Sequence, residues 1–515
     1  MVVRLIPTLL AAATAVALVV SPSSSTAAEF TDLLDAADPQ TDTTWDFHIE
    51  PSFRFDISSG DIAREAVCIA DHHPQFTDNP LAERRPERRL NRSCPGPDDG
   101  PTIVHDEQMN FRQTRSTMDM TLRGGLYRDL ELRLNFPYVV QSSRSLRYHS
   151  AGGGANTSSV DPTDDDIAAH AAEVFQSGSF QSNVDEFEMY RFFELGNDYG
   201  GFDRSGFADP SVGIHWAPWN DYRDDTKSTM VLGVDYTMPL ATPQQAGNSS
   251  VGRGVHEFAF KFASSRRFDW IEPYFGAQYF LPVAATESLY GQRYPDSEGQ
   301  VLTLPPHRGL FTIGTEFIPF EDPTQDVRYA IDLRFQFGYT SEGRDYTPLF
   351  DHMTHPSNEC NGVTIDELQP EFDSNGELVD ARKVHCAWVA QQPTNFDDGN
   401  RVRHYDLEND DGSNPYQFTD LMSVDSYGTF SGQIGFYLQP HELFQFRTAL
   451  GLTRHQSHLL TNARTGRAIE GDEVDIRDYR ERNPVYNPAY DNSGDRFRIQ
   501  SYNTFHFIVT TALQF

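Results

Sequence analysis

Beyond its first 28 residues the chain has no apolar run approaching the roughly 20 residues that a membrane-crossing helix needs, and its mean hydropathy is −0.54. A helical membrane protein is therefore excluded. Bases are scarce beside acids, 41 against 75, for a formal net charge of −34, and of those bases only Lys227, Lys261 and Lys383 are lysines. So acidic a surface repels polyanions, which excludes nucleic acid as a partner. Cysteine is limited to Cys68, Cys94, Cys360 and Cys386, with no CxxC pair and no histidine at zinc-site spacing. An even cysteine count in an exported chain favours disulfides, here Cys68 with Cys94 and Cys360 with Cys386, over metal ligation. No cofactor is implied.

Residues 1–28 read as a removable export signal. Arg4 supplies a positive start, residues 5–20 are almost wholly apolar, and residues 23–28 are small. A cut after Ala28, flanked by Thr26 and Ala28, obeys the small-residue rule. Residues 29–43 then form a short periplasmic segment before a barrel over residues 44–515. About 15 residues are too few for a separate periplasmic plug domain.

One hydrophobic pattern runs through the rest. In residues 45–57, Trp45, Phe47, Ile49, Pro51, Phe53, Phe55 and Ile57 alternate with Asp46, His48, Glu50, Ser52, Arg54 and Asp56. Successive residues of a strand face opposite ways, so this period of two separates an apolar from a polar environment. The same alternation recurs near 118–126, 130–138, 212–216, 230–238, 258–262, 271–281, 311–317, 327–339, 430–438, 444–452 and 505–515.

With residues 45–57 this predicts an all-β, antiparallel up-and-down transmembrane barrel of about 12 strands. Connections alternate between short turns and long acidic loops near 58–111, 141–207, 341–424 and 455–496. Short periplasmic turns and long extracellular loops are the outer-membrane asymmetry. Trp45, Trp216, Trp219 and Trp270 fall at the short-turn rim, where indole favours a membrane interface. The alternation running to Phe515 predicts a terminal aromatic read by the barrel-assembly machinery.

Strand parity sends Glu50, Arg54, Asp119, Arg123, Glu131, Arg133, Asp235, Glu257, Lys261, Glu272, Glu316, Arg328, Asp332, Arg334 and Arg447 into the lumen, with His48, Gln433 and His506. On the lipid face each charge would cost about 2–4 kcal/mol. Both signs are interleaved, which fits either a narrow polar pore or a closed wall of paired side chains. Residues 164–175 read as a short helix with an acidic first turn, placed in the lumen or outside it. The run Glu371, Asp373, Asn375, Gly376 partly matches a calcium loop, but Arg382 stands where the closing glutamate belongs, so no metal site is assigned. No nucleophile motif supports a barrel enzyme.

Residues 127–138, ending Phe136-Pro137-Tyr138, then Phe207-Ala208-Asp209-Pro210-Ser211-Val212-Gly213-Ile214 and residues 231–239, resemble outer-membrane proteins of the phenol meta-degradation transporter type. Gly252-Arg253-Gly254 adds to the likeness, and Ala208 stands where that group usually has glycine. The resemblance covers mainly residues 120–285 and implies a channel or transporter for small organic compounds, with no catalytic residues. The leading expectation is thus solute passage through a charged lumen. The alternative is a surface barrel whose acidic loops bind a partner or cations, and an outer-membrane enzyme comes third.

Overall fold

The computed structural model describes residues 28–34, 47–68, 102–148, 203–290, 304–350 and 421–514, apart from short interruptions within the later ranges. The strands in chain order are β1 Phe47–Cys68, β2 Thr102–Tyr127, β3 Leu130–Tyr148, β4 Asp203–Phe207, β5 Ser211–Trp219, β6 Thr229–Thr237, β7 Val255–Ser265, β8 Ile271–Ala284, β9 Arg308–Asp322, β10 Val327–Thr340, β11 Gly343–Asp345, β12 Met422–Val424, β13 Tyr427–His441, β14 Phe444–His455, β15 His458–Leu459, β16 Phe497–Ile499 and β17 Tyr502–Gln514.

Each wall strand pairs antiparallel with its chain neighbour, and β1 pairs with both β2 and β17, so the sheet closes without an edge. Taking β4 and β5 as one interrupted stave, the wall has 12 strands. Closure matters because an open edge inside a bilayer would leave backbone N–H and C=O groups unpaired.

Inside and outside are the reverse of a soluble protein. His48, Glu50, Arg123, Glu131, His215, Glu272, Glu316 and Arg328 are buried, while Phe53, Phe136, Phe275, Phe311, Phe335 and Leu452 are exposed on the outer face. Water-soluble monomers rarely expose contiguous apolar surface beyond a few hundred Å². A belt around the whole wall is the surface of a protein solvated by lipid. At the short-turn rim Trp216, Trp219 and Trp270 are about half exposed, forming an interfacial girdle. Two turns there use left-handed residues, Asp129 at φ 51° and Asp269 at φ 54°. Asp129 also accepts hydrogen bonds from Asn220 at 3.0 Å and Arg223 at 3.2 Å, tying neighbouring turns together.

Three features depart from the sequence reading. The loop near 58–111 is partly a ribbon, since β1 runs on to Cys68 in register with Thr102. Likewise β3 continues to Tyr148 and pairs with β4, inside the span assigned to the loop near 141–207. Above the bilayer the ribbon meets water on one side and loops on the other, so simple alternation fades there. The third is the placement of residues 28–34, which lie within the barrel and not below it, as their contacts show. Cys94, Cys360, Cys386, residues 164–175, the acidic run near 371–377 and Phe515 lie outside the described residues; Cys68 ends β1, with its side chain among the undescribed.

Candidate functional site: a stoppered, charged lumen

At the short-turn end the lumen is filled by a tight polar network. Arg123 on β2 is the hub: its guanidinium lies 2.9 Å from Glu50, 2.7 Å from Glu131 and 3.0 Å from Asp32. Arg133, directly across from Arg123 on β3, pairs with the far oxygen of Glu131. Glu131 is fully buried, and a buried carboxylate persists only where such donors replace water.

Asp32 belongs to the N-terminal segment, and its neighbours anchor as it does. The Ala28 N–H donates to Glu272 at 2.6 Å, the Thr31 hydroxyl meets that of Ser265 at 2.7 Å, and the Leu34 N–H donates to Glu131 at 2.8 Å. Arg123 and Arg133 both donate to the Asp32 carbonyl. Phe30 stacks on Tyr274 with centroids 5.0 Å apart, and the cations of Lys261 and Arg334 sit 5.2 Å and 5.5 Å from its ring. Cation–π contact is worth most away from water, as here. Phe30 and Leu33 also pack on Ala217, Val231 and Ala263. These seven residues are therefore held from inside the wall by charged side chains on β2, β3, β7, β8 and β10.

On the opposite wall three carboxylates stand side by side. Glu272 on β8 is in register with Glu316 on β9, which is in register with Asp332 on β10. Like charges directly opposite repel. Arg328 lies 3.0 Å from Glu316 and 3.6 Å from Glu272, and Arg334 lies 3.0 Å from Asp332. Tyr274 donates to Asp332 at 2.5 Å. Asp235 pairs with His215 at 3.0 Å. Arg447 donates to Gln445 at 2.9 Å and lies over Tyr437.

Halfway up, the wall opens. The Arg54 side chain is 44% exposed, against 4% for Arg123. Arg54 holds Asp56 at 2.9 Å, and His506 bridges Asp56 at 2.6 Å and the Thr453 hydroxyl at 2.7 Å. Asp119 on β2 lies opposite Ser52, one pleat nearer the short-turn end than Arg54. Higher still, Glu257 is clamped by Arg253 at 3.1 Å and Arg308 at 2.7 Å. Towards the long-loop end lies a buried apolar cluster of Ile62, Met109, Phe111, Leu146, Leu349, Met422, Leu460, Phe497 and Ile499.

The charged residues that parity groups on the inner face divide by burial. Glu50, Arg123, Glu131, Glu272, Glu316, Arg328 and Asp332 are buried in the stoppered network, whereas Arg54 and Asp119 face the more open middle. Asp56 shares the parity of Glu50 and Arg54 and was legible as a lumen residue by that signal alone. Phe30 and Asp32 carried no periodic signal.

No protein-family model matches the sequence, and no curated protein sequence matches it. Among solved structures, an outer membrane channel from Pseudomonas putida F1 aligns over 91% of this chain and 95% of that one at 9% identity, with a TM-score of 0.33. A FadL homologue from Pseudomonas aeruginosa aligns over 91% and 90% at 9% identity, TM-score 0.27. The P. putida toluene transporter TodX aligns over 92% and 90% at 9% identity, TM-score 0.28. At such scores the chain paths differ too much for a site or a solute to be carried across.

Proposed function

We propose that this protein is an outer-membrane channel for small organic solutes, closed at rest by its own N-terminal segment. The observation that carries the reading is the layout of the lumen. Its middle keeps charged side chains such as Arg54 accessible, while the lower closure is made by residues 28–34 and the upper one by an apolar cluster that includes Leu349, Met422 and Leu460. Neither closure consists of wall side chains alone, so each is removable without breaking the barrel. A barrel serving only as an anchor needs no such middle chamber.

The apolar upper cluster followed by a polar chamber suits solutes that carry both an apolar body and a polar group. The resemblance of residues 120–285 to phenol meta-degradation-type proteins supports the same class. Outer-membrane placement follows from the edge-free barrel with short turns at one end and long connections at the other.

Purified protein in planar lipid bilayers tests the reading. The intact protein is expected to show rare or no conductance steps, and deletion of residues 30–34 is expected to give discrete, long-lived ones. Absence of conductance from both, with folding verified by the electrophoretic shift between unheated and heated samples, would sink the channel and leave the surface-binding barrel.

A further inference from the structure

Glu272 is fully buried, and its two oxygens are unequally served. Oε1 accepts from the Ala28 nitrogen at 2.6 Å and the Ser265 hydroxyl at 2.8 Å. Among the described residues Oε2 has no hydrogen-bond partner, and the Arg328 guanidinium with which it pairs at 3.6 Å is closer to Glu316 at 3.0 Å. Glu316 is moreover the residue in register with Glu272. A buried carboxylate that faces another carboxylate and shares its cation calls for a further positive charge. A neutral backbone amide at Ala28 does not supply one.

We infer that export processing cuts the Ala27–Ala28 bond, and that the α-ammonium so created on Ala28 is the missing cation, seated on Glu272 as the lock of the lumen stopper. The inference rests on the export reading of residues 1–28 and moves the cut one residue earlier than composition alone placed it. Ser25 and Ala27 then flank the site, and both are small, as the processing rule requires. Hydrolysis adds one water across the bond: Ala27 keeps the carboxylate and Ala28 leaves with the ammonium.

Geometry permits the change with no rebuilding. The Ala28 nitrogen already lies at 2.6 Å, at the short end for a charge-assisted N–H···O bond. An ammonium brings three donors where the amide has one, so it can reach toward the orphan Oε2 as well. Processing, and not folding alone, thereby completes the closure: an unprocessed chain carries an amide where the lock needs a charge.

Two measurements on protein extracted from outer membranes test this. N-terminal sequencing or intact mass is expected to read Ala28-Glu29-Phe30 as the start. Brief treatment of the folded barrel with an amine-acetylating reagent is expected to spare the α-amine at least tenfold relative to heat-unfolded protein. In Glu272→Gln, with its barrel verified by heat-dependent mobility, that protection is expected to fall severalfold. A mature start at Glu29 or beyond overturns the inference, as does an α-amine equally reactive in folded and unfolded protein, or unchanged protection in Glu272→Gln. None of these readouts depends on conductance, so a failure of the channel reading and a failure of the amine lock are separable.

Discussion

Gly276 shows how much of the closure hangs on single positions. It faces inward from β8, and a Cβ there would stand 2.5 Å from the Phe30 ring and 2.7 Å from the Phe262 carbonyl. The ring has nowhere else to stack on Tyr274, whose hydroxyl is committed to Asp332. Gly276→Val is therefore expected to expel Phe30 and to push the Phe262 carbonyl of β7 aside, a local strain on the β7–β8 pairing that the remaining registered pairs of the two strands hold in check. In planar bilayers this variant should conduct far more often than the wild type, with unchanged heat-dependent mobility. Conductance as rare as wild type would show that Phe30 is not what blocks the lumen. No feature of the sequence marks Gly276 as special, because its partner lies hundreds of positions away and outside any repeat.

At the scale of elements, the staves were legible and the stopper was not, for one physical reason. A stave separates lipid from lumen along its whole length, so Phe53, Arg54 and Phe55 must alternate. Residues 28–34 touch β2, β3, β5, β6, β7, β8 and β10 from inside and answer to no period. Their anchors are of mixed kind: an aromatic at Phe30, a hydroxyl at Thr31, a carboxylate at Asp32 and backbone N–H groups. The upward extensions of β1 and β2 were hidden similarly, since Gly60, Asp61, Ile62 and Ala63 break the alternation where the ribbon leaves the bilayer. A tilted crossing takes about 9–11 residues, which puts Glu65 well above the membrane.

There the Arg496 guanidinium grips Glu65 at 2.8 and 2.9 Å, and the Gly494 N–H adds a bond at 2.9 Å. Burial alone would raise this carboxyl, but Arg496, the Gly494 N–H and His105 together hold it below the usual value of 4.5. A depressed carboxylate stabilises fully above that value, and its contribution is lost as pH falls through the folded value. Backbone amides of residues 496–499 are thus expected to exchange with solvent markedly faster at pH 3.5 than at pH 6, after correction for intrinsic rates, and Glu65→Gln is expected to remove the difference. A pH dependence that persists in Glu65→Gln would place the switch elsewhere.

For the molecule as a whole, the question is which solvent the outer belt meets. A wall with Phe275, Phe335 and Leu452 exposed and Glu131 and Glu272 buried is stable only if lipid surrounds it, for in water the same arrangement would forfeit apolar burial and still have to desolvate its charges. Neighbouring residues of β10 make the test. Phe335 faces out in register with Gly432 and Ile313, while Gln336 faces in and donates to Thr312 at 3.2 Å. In folding titrations from urea into lipid vesicles, Phe335→Arg is expected to cost about 2–4 kcal/mol, the penalty of a base on the lipid face near midplane. Gln336→Glu places its charge one residue along but in the polar lumen, and is expected to cost less than about 1 kcal/mol, because Arg308 and Arg334 lie on the same inner face. Equal costs would mean that the two faces see the same medium. The lipid-solvated barrel, and with it the separation of a charged lumen from an apolar exterior on which solute passage depends, would then fail together.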